Sequence, residues 1–160
     1  RPVGLVLFGG QGSKVMLEIA ERLRDTQLIL ICGRNQKLAE RLKAQPTNAR
    51  HFIEGFTQEI PYYMHLSDFF IGKPGPGSIS EAVAMKLPVI VERNAWTLPQ
   101  ERYNAEWVRE HHAGLVVSNF RGIRGAVDEL LASLDSYRAS VAQIQNRAVF
   151  EIPEILAKIL

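Results

Sequence analysis

Lys73-Pro74-Gly75-Pro76-Gly77-Ser78-Ile79-Ser80-Glu81-Ala82 follows a short apolar run, Phe69–Gly72, and leads straight into a segment of helical character. A strand, a glycine-rich bend and a helix in that order build an anion site. Gly75 and Gly77 open backbone angles closed to other residues and put no side chain between main chain and ligand. The first turn of the helix adds unpaired N–H groups and the positive end of its dipole, which together favour a phosphate. Working outward, a second loop, Gly9-Gly10-Gln11-Gly12-Ser13, repeats the arrangement behind the first apolar run. Two loops of phosphate-binding grade in one small domain point to a diphosphate ligand such as a nucleotide.

Apolar runs bounded by turn residues recur at 3–8, 27–32, 49–53, Phe69–Gly72, 89–91 and Gly114–Val117. With little polar alternation they read as strands covered on both faces, as in a parallel sheet. Between them lie helical patterns. Val15, Met16, Ile19, Ala20 and Leu23 share one face behind Ser13 as cap candidate, and Leu38 and Leu42 mark a second helix. Strand and helix alternate, so the expected fold is α/β: a doubly wound, mostly parallel six-stranded sheet of Rossmann-like type. After residue 117 the strand signal stops, and Ile123, Val127, Leu130, Leu131 and Leu134 begin a helical tail continued by Val141, Ile144, Ala148 and Ile155. Pro153 is expected to interrupt this tail, and its apolar face to pack on the sheet or on a partner.

The 160 residues suffice for one buried core, so residues 1–160 are read as a single domain. The formal charge of +2 is small and its cations are scattered, which argues against nucleic acid. The lone Cys32 excludes an internal disulfide, and no apolar run reaches the roughly 20 residues that span a bilayer. A strand within two residues of the first position suggests a domain excised from a longer chain.

Ligands of open α/β sheets collect at the carboxyl ends of the strands, where both glycine loops lie. Gly10-Gln11-Gly12 begins the Gly-x-Gly-x-x-Gly signature of dinucleotide oxidoreductases, but the third glycine position holds Val15. No acidic residue follows the second strand to hold a ribose, although Arg34 in Cys32-Gly33-Arg34 would suit a 2′-phosphate and keeps an NADP reading open. Glu81, three residues after Ser78, has capping-box spacing; it equally suits a carboxylate that accepts both hydroxyls of a ribose. Pro99 fits a first helical position, and Thr97 with Gln100 has capping-box spacing too. Gln100, Glu101 and Asn104 cluster at that helix start, where a polar set can read sugar hydroxyls. Trp107 and Tyr103 read as core, and Trp96 as core or as a cover over a sugar. His111 and His112 are adjacent and diverge on a helix, so they form no metal pair.

The Gly9-Gly10-Gln11-Gly12 loop, Leu30-Ile31-Cys32-Gly33-Arg34-Asn35, Gly55-Phe56, residues 73–82, Gln100-Glu101 with Asn104, and Ala148-Val149-Phe150 resemble the C-terminal donor-binding domain of GT-B glycosyltransferases. The likeness is strongest to the monogalactosyldiacylglycerol synthase and diacylglycerol glucosyltransferase group. The related peptidoglycan N-acetylglucosaminyltransferase carries Gln-Gln where this chain has Gln100-Glu101. The resemblance implies a UDP-hexose donor, UDP-galactose or UDP-glucose. Its uracil would meet backbone at Phe56 and Thr57, and its ribose Glu81. Its diphosphate would meet Gly10, Gly12 and Ser13 in one loop and Gly75, Gly77, Ser78 and Ile79 in the other. Its hexose would meet Gln100, Glu101 and Asn104. It further implies inversion at the anomeric centre, no metal or other cofactor in this domain, and a general base on an absent N-terminal domain, so that the isolated domain is inactive. The acceptor is then a lipid, diacylglycerol, and the full-length protein a cytoplasmic enzyme at a membrane surface. A non-catalytic nucleotide-sugar-binding module and a UDP-sugar 2-epimerase share the architecture.

Overall fold

Six strands, β1 (Val3–Leu7), β2 (Gln27–Ile31), β3 (His51–Glu54), β4 (Phe69–Gly72), β5 (Val89–Glu92) and β6 (Gly114–Val117), form one sheet in the order β3-β2-β1-β4-β5-β6. All five pairings are parallel. The computed structural model describes residues 1–146 and 148–159. Among the described residues eight helices complete it: α1 (Val15–Arg22), α2 (Gln36–Lys43), α3 (Ile60–His65), α4 (Pro76–Ala84), α5 (Pro99–Glu110), α6 (Ile123–Ala132), α7 (Leu134–Gln143) and α8 (Ala148–Ile159). A 3₁₀ turn at Phe120–Gly122 precedes α6.

The alternation of side chains along each strand divides the core in two. Val6, Leu28, Leu30, Phe69, Ile71 and Ile90 face α1, α2, α6 and Phe120. Leu5, Leu7, Ile29, Phe70, Val89 and Val91 face α3, α4 and α5, with Val141 of α7. Both faces are covered, which is why the strands read as continuous apolar runs. α4 and α5 end in the same way: Lys86 (φ 62°) and His112 (φ 49°) take left-handed angles, and the next amides reach back, Leu87 to Ala82 O and Ala113 to Val108 O, each at 2.9 Å.

Several local expectations are corrected. β3 runs His51–Glu54, later than the 49–53 run, because the Asn48 and Ala49 amides turn back to the Arg24 carbonyl at 2.9 and 2.8 Å. Lys14 stands at the N-cap of α1; Ser13 Oγ accepts only a long bond of 3.4 Å from the Val15 amide. Pro153 does not break the tail. It lies inside α8, where it removes one amide donor, and the break comes earlier at Ile144, which is extended (φ −71°, ψ 119°). The tail packs on the sheet only in part: α6 and α7 bury one face each, whereas Phe150, Ile152, Ile155, Leu156 and Ile159 of α8 are all exposed. Trp96 and Tyr103 are exposed as well and belong to neither core. His111 stacks on Trp107 and His112 on Tyr137, each with centroids 4.3 Å apart, so both histidines are occupied on the surface.

Candidate functional site

β1 pairs with β2 on one side and β4 on the other, so the strand order reverses between β1 and β4. In an open parallel sheet the loops beside that reversal diverge and leave a crevice at the carboxyl ends. The 9–13 loop follows β1, and residues 73–75 lead from β4 into α4. Both glycine loops therefore flank the same crevice.

Gly75 is the N-cap of α4 in an extended conformation (φ −72°, ψ 138°), and Pro76 takes the first helical position, where its missing donor costs nothing. The Ile79 amide already donates to Gly75 O at 3.1 Å. Gly77 and Ser78 are left as amides without a partner among the described residues. Because Pro76 opens the helix, Ser78 and Glu81 both lie inside it and no side-chain cap forms. Glu81 is exposed, with its carboxylate free of the capping role that its spacing allowed.

α5 braces this loop from the side. Asn104 Nδ2 donates to Pro74 O at 2.9 Å, and the Lys73 ammonium lies 3.9 Å from Glu101 Oε1. Glu101 is only 14% exposed, whereas Gln100 one residue earlier is open to solvent. Leu98, not Thr97, stands at the N-cap of α5, and Thr97 Oγ1 accepts from the Asn94 amide at 2.9 Å instead. The capping box expected from Thr97 and Gln100 is absent, because Pro99 at the first position starts the helix after Thr97.

The first loop is held by the chain behind it. Gly12 N–H closes a turn onto Gly9 O at 3.1 Å, so its amide is committed, whereas those of Ser13 and Lys14 have no partner among the described residues. Gly12 has φ +61°, and a Cβ there would come within 2.8 Å of Cys32 O. Gly33 (φ +59°) is tighter still: its Cβ would lie 2.2 Å from Gly10 O. Arg34 N–H then donates to Gly10 O at 2.9 Å, and Asn35 Nδ2 to Gln11 O at 3.2 Å. Gly10 itself is exposed, with nothing within 4 Å of a built Cβ. Burial pushes the Cys32 thiol up to about 11, which keeps it a protonated packing group.

After β3 the chain bends through Gly55, Phe56 and Thr57. Glu54 fixes the bend with two bonds, one from the Gly55 amide at 2.8 Å and one from the Tyr63 hydroxyl at 2.7 Å. These donors hold the Glu54 carboxyl below its ordinary pKa, and the same bond lifts the Tyr63 phenol to about 12. Arg34 lies over the Phe56 ring, 4.7 Å from its centroid, which ties the β3 bend to the β2 loop. Thr57 Oγ1 accepts from the Glu59 amide at 3.0 Å. The amides of Phe56 and Thr57 have no partner among the described residues. The roles of Gly33, Glu54 and Tyr63 escape a reading of the sequence, because each depends on contacts between separate loops.

The chain matches the glycosyltransferase family 28 C-terminal domain over residues 5–148. It is 30% identical over 167 residues to monogalactosyldiacylglycerol synthase 2 of Arabidopsis thaliana, covering 92% of this chain and 35% of that protein. It is 31% identical over 155 residues to the processive diacylglycerol beta-glucosyltransferase of Staphylococcus carnosus, covering 93% and 39%. The chain thus spans well under half the length of these curated relatives. The fold also matches the crystal structure of Acinetobacter baumannii MurG, with a TM-score of 0.81 at 14% identity over 99% of this chain and 50% of that one. Among the described residues no helix is long and apolar enough to cross a membrane.

Proposed function

Because this chain belongs to the glycosyltransferase family 28 C-terminal domain family, we propose that it is the donor-binding half of an enzyme that transfers a hexose from UDP to diacylglycerol. The observation that carries this reading is the convergence of two glycine loops on the crevice between β1 and β4. The unpartnered amides of Gly77 and Ser78 on one side and of Ser13 and Lys14 on the other suit the two phosphates of one diphosphate. Glu81 then accepts the ribose hydroxyls, the amides of Phe56 and Thr57 meet the uracil edge, and Gln100, Glu101 and Asn104 hold the hexose. Asn104 reads the sugar with what Pro74 leaves free, chiefly its Oδ1.

Breaking the anomeric bond leaves negative charge on the departing diphosphate. Amides fixed in position before the reaction and aimed at that charge stabilise the transition state more than the ground state. Lys73, tethered near Glu101, adds a positive charge at the same loop. The base that takes the proton from the acceptor hydroxyl lies on the remainder of a longer protein, so this domain alone binds donor without transferring it. The lipid acceptor is supported by the names of both relatives, which share diacylglycerol and differ in the hexose. The full-length protein then works at a membrane surface.

Calorimetric titration of the 160-residue chain with UDP, UDP-galactose, UDP-glucose and NADPH tests the reading. Uptake of the uridine ligands in preference to NADPH is expected; the reverse order would overturn it.

A further inference from the structure

Trp96 is 92% exposed, more than any other large apolar side chain among the described residues. The 94–97 loop that carries it is nevertheless tightly braced. Asn94 N–H donates to Thr97 Oγ1 at 2.9 Å, Trp96 N–H to Asn94 Oδ1 at 2.9 Å, and Thr97 N–H to Asn94 O at 3.2 Å. Asn94 Nδ2 anchors the loop to Ser118 O at 3.3 Å. From below, Arg102 donates through Nε to Thr97 O and through Nη2 to Ala95 O, both at 3.1 Å. Leu98 follows at 51% exposure, and Tyr103 in the next turns of α5 at 68%.

A loose loop would fold an indole back onto the protein to hide it from water. This loop holds the indole out at the cost of exposed apolar area, and among the described residues it pairs all of the 94–97 backbone groups but the Ala95 N–H and the Trp96 carbonyl while doing so. A segment most of whose peptide groups are already paired loses less on entering a medium poor in water, where unpaired ones are costly. Tryptophan and tyrosine favour the boundary between headgroups and acyl chains. The Nη1 group of Arg102 makes no hydrogen bond or ion pair among the described residues and suits a lipid phosphate.

We propose that the 94–97 loop, with Leu98, docks on a lipid bilayer by inserting Trp96 into the headgroup boundary. The loop leaves the carboxyl end of β5, beside the crevice, so insertion sets the mouth of the donor site against the surface that holds the acceptor. This inference rests on the lipid-acceptor reading above.

The chain has two tryptophans, so Trp107→Phe leaves Trp96 as sole reporter. That variant is titrated with vesicles of phosphatidylcholine, phosphatidylglycerol and diacylglycerol. Its emission is expected to move to the blue and to be quenched by brominated lipid. In the otherwise unaltered chain, Trp96→Ala is expected to weaken vesicle binding about tenfold, the order expected for burying most of an indole, with UDP affinity unchanged. Should Trp107→Phe fail to fold, the blue shift is sought in the unaltered chain and its loss in Trp96→Phe. Emission indifferent to vesicles, or emission that shifts with UDP-hexose alone because the indole covers the sugar, overturns the inference. UDP uptake on the same samples separates the two readings: a silent Trp96 with intact UDP binding sinks membrane docking alone, and absent UDP binding counts against the donor site instead.

Discussion

Asn104 and Pro74, thirty residues apart, are joined by a hydrogen bond of 2.9 Å from the Asn104 amide to the Pro74 carbonyl. The bond locks the start of α5 to the bend that opens α4, so the proposed hexose and diphosphate contacts are set by one geometry. Asn104→Ala leaves the carbonyl of the buried Pro74 unpaired. It is expected to cost about 1 kcal/mol of stability by denaturant titration and to weaken UDP binding although Asn104 would touch no part of UDP itself.

Glu81 gives a cleaner separation. It lies inside α4, is exposed, and caps nothing. Glu81→Ala is therefore expected to change stability by less than about 0.5 kcal/mol, as for an ordinary surface site. UDP affinity should fall by about 1 to 3 kcal/mol if the carboxylate holds the ribose, which calorimetry measures directly. A variant that loses stability and keeps its affinity would return Glu81 to a structural role.

Two glycines on the same rim should respond in opposite ways. Gly33→Ala forces a Cβ to 2.2 Å from Gly10 O at a left-handed φ, and a loss of about 3 kcal/mol or more is expected in thermal or denaturant unfolding. Gly77 lies in the first turn of α4 with nothing within 4 Å of a built Cβ. Gly77→Ala should match or exceed the parent in melting temperature, since alanine is the better helix former by up to about 1 kcal/mol. It should bind UDP more weakly, because the added methyl occupies ground assigned to a phosphate.

The Glu54 and Tyr63 pair predicts a pH dependence at both ends. The carboxyl pKa of Glu54 is depressed in the folded state, first by the Tyr63 hydroxyl and then by the Gly55 amide. Its contribution is present above the unfolded carboxyl pKa and is lost as pH falls through the folded one. The Tyr63 pKa is raised to about 12, so its contribution is complete below the unfolded phenol pKa and disappears as pH rises through about 12. The stability difference between the parent and Tyr63→Phe should be about 1 kcal/mol or less at neutral pH, the pair being largely solvated. It should shrink in acid and again in strong base; a pH-independent difference would contradict the pairing.

The strand pattern was legible because β1, β2, β4 and β5 are buried on both faces and carry their apolar residues without interruption. Where burial is partial, as at the edge strand β3, the start moved by two residues, from 49 to His51. The start of α5 was read correctly at Pro99, and the capping boxes left open by the spacing of Ser78 with Glu81 and of Thr97 with Gln100 do not form. Pro76 and Pro99 each take the first helical position, where their fixed φ suits the helix start, and the residue before each becomes the N-cap in place of the one the spacing suggested. The two glycine loops were legible from local sequence as bends at the carboxyl ends of β1 and β4. Which of their amides remain free was not, since Gly12 and Ile79 spend theirs on the turn and on the helix. Gly33 against Gly10, Glu54 with Tyr63, and Arg102 beneath the 94–97 loop join segments that only the fold brings together.

The most direct measurement is a crystal structure of this chain with UDP. The account predicts diphosphate oxygens within about 3 Å of the Gly77 and Ser78 amides, in the crevice between β1 and β4, with the ribose against Glu81. Uridine diphosphate seated elsewhere on the sheet, or a chain that takes up none at millimolar concentration, would contradict it.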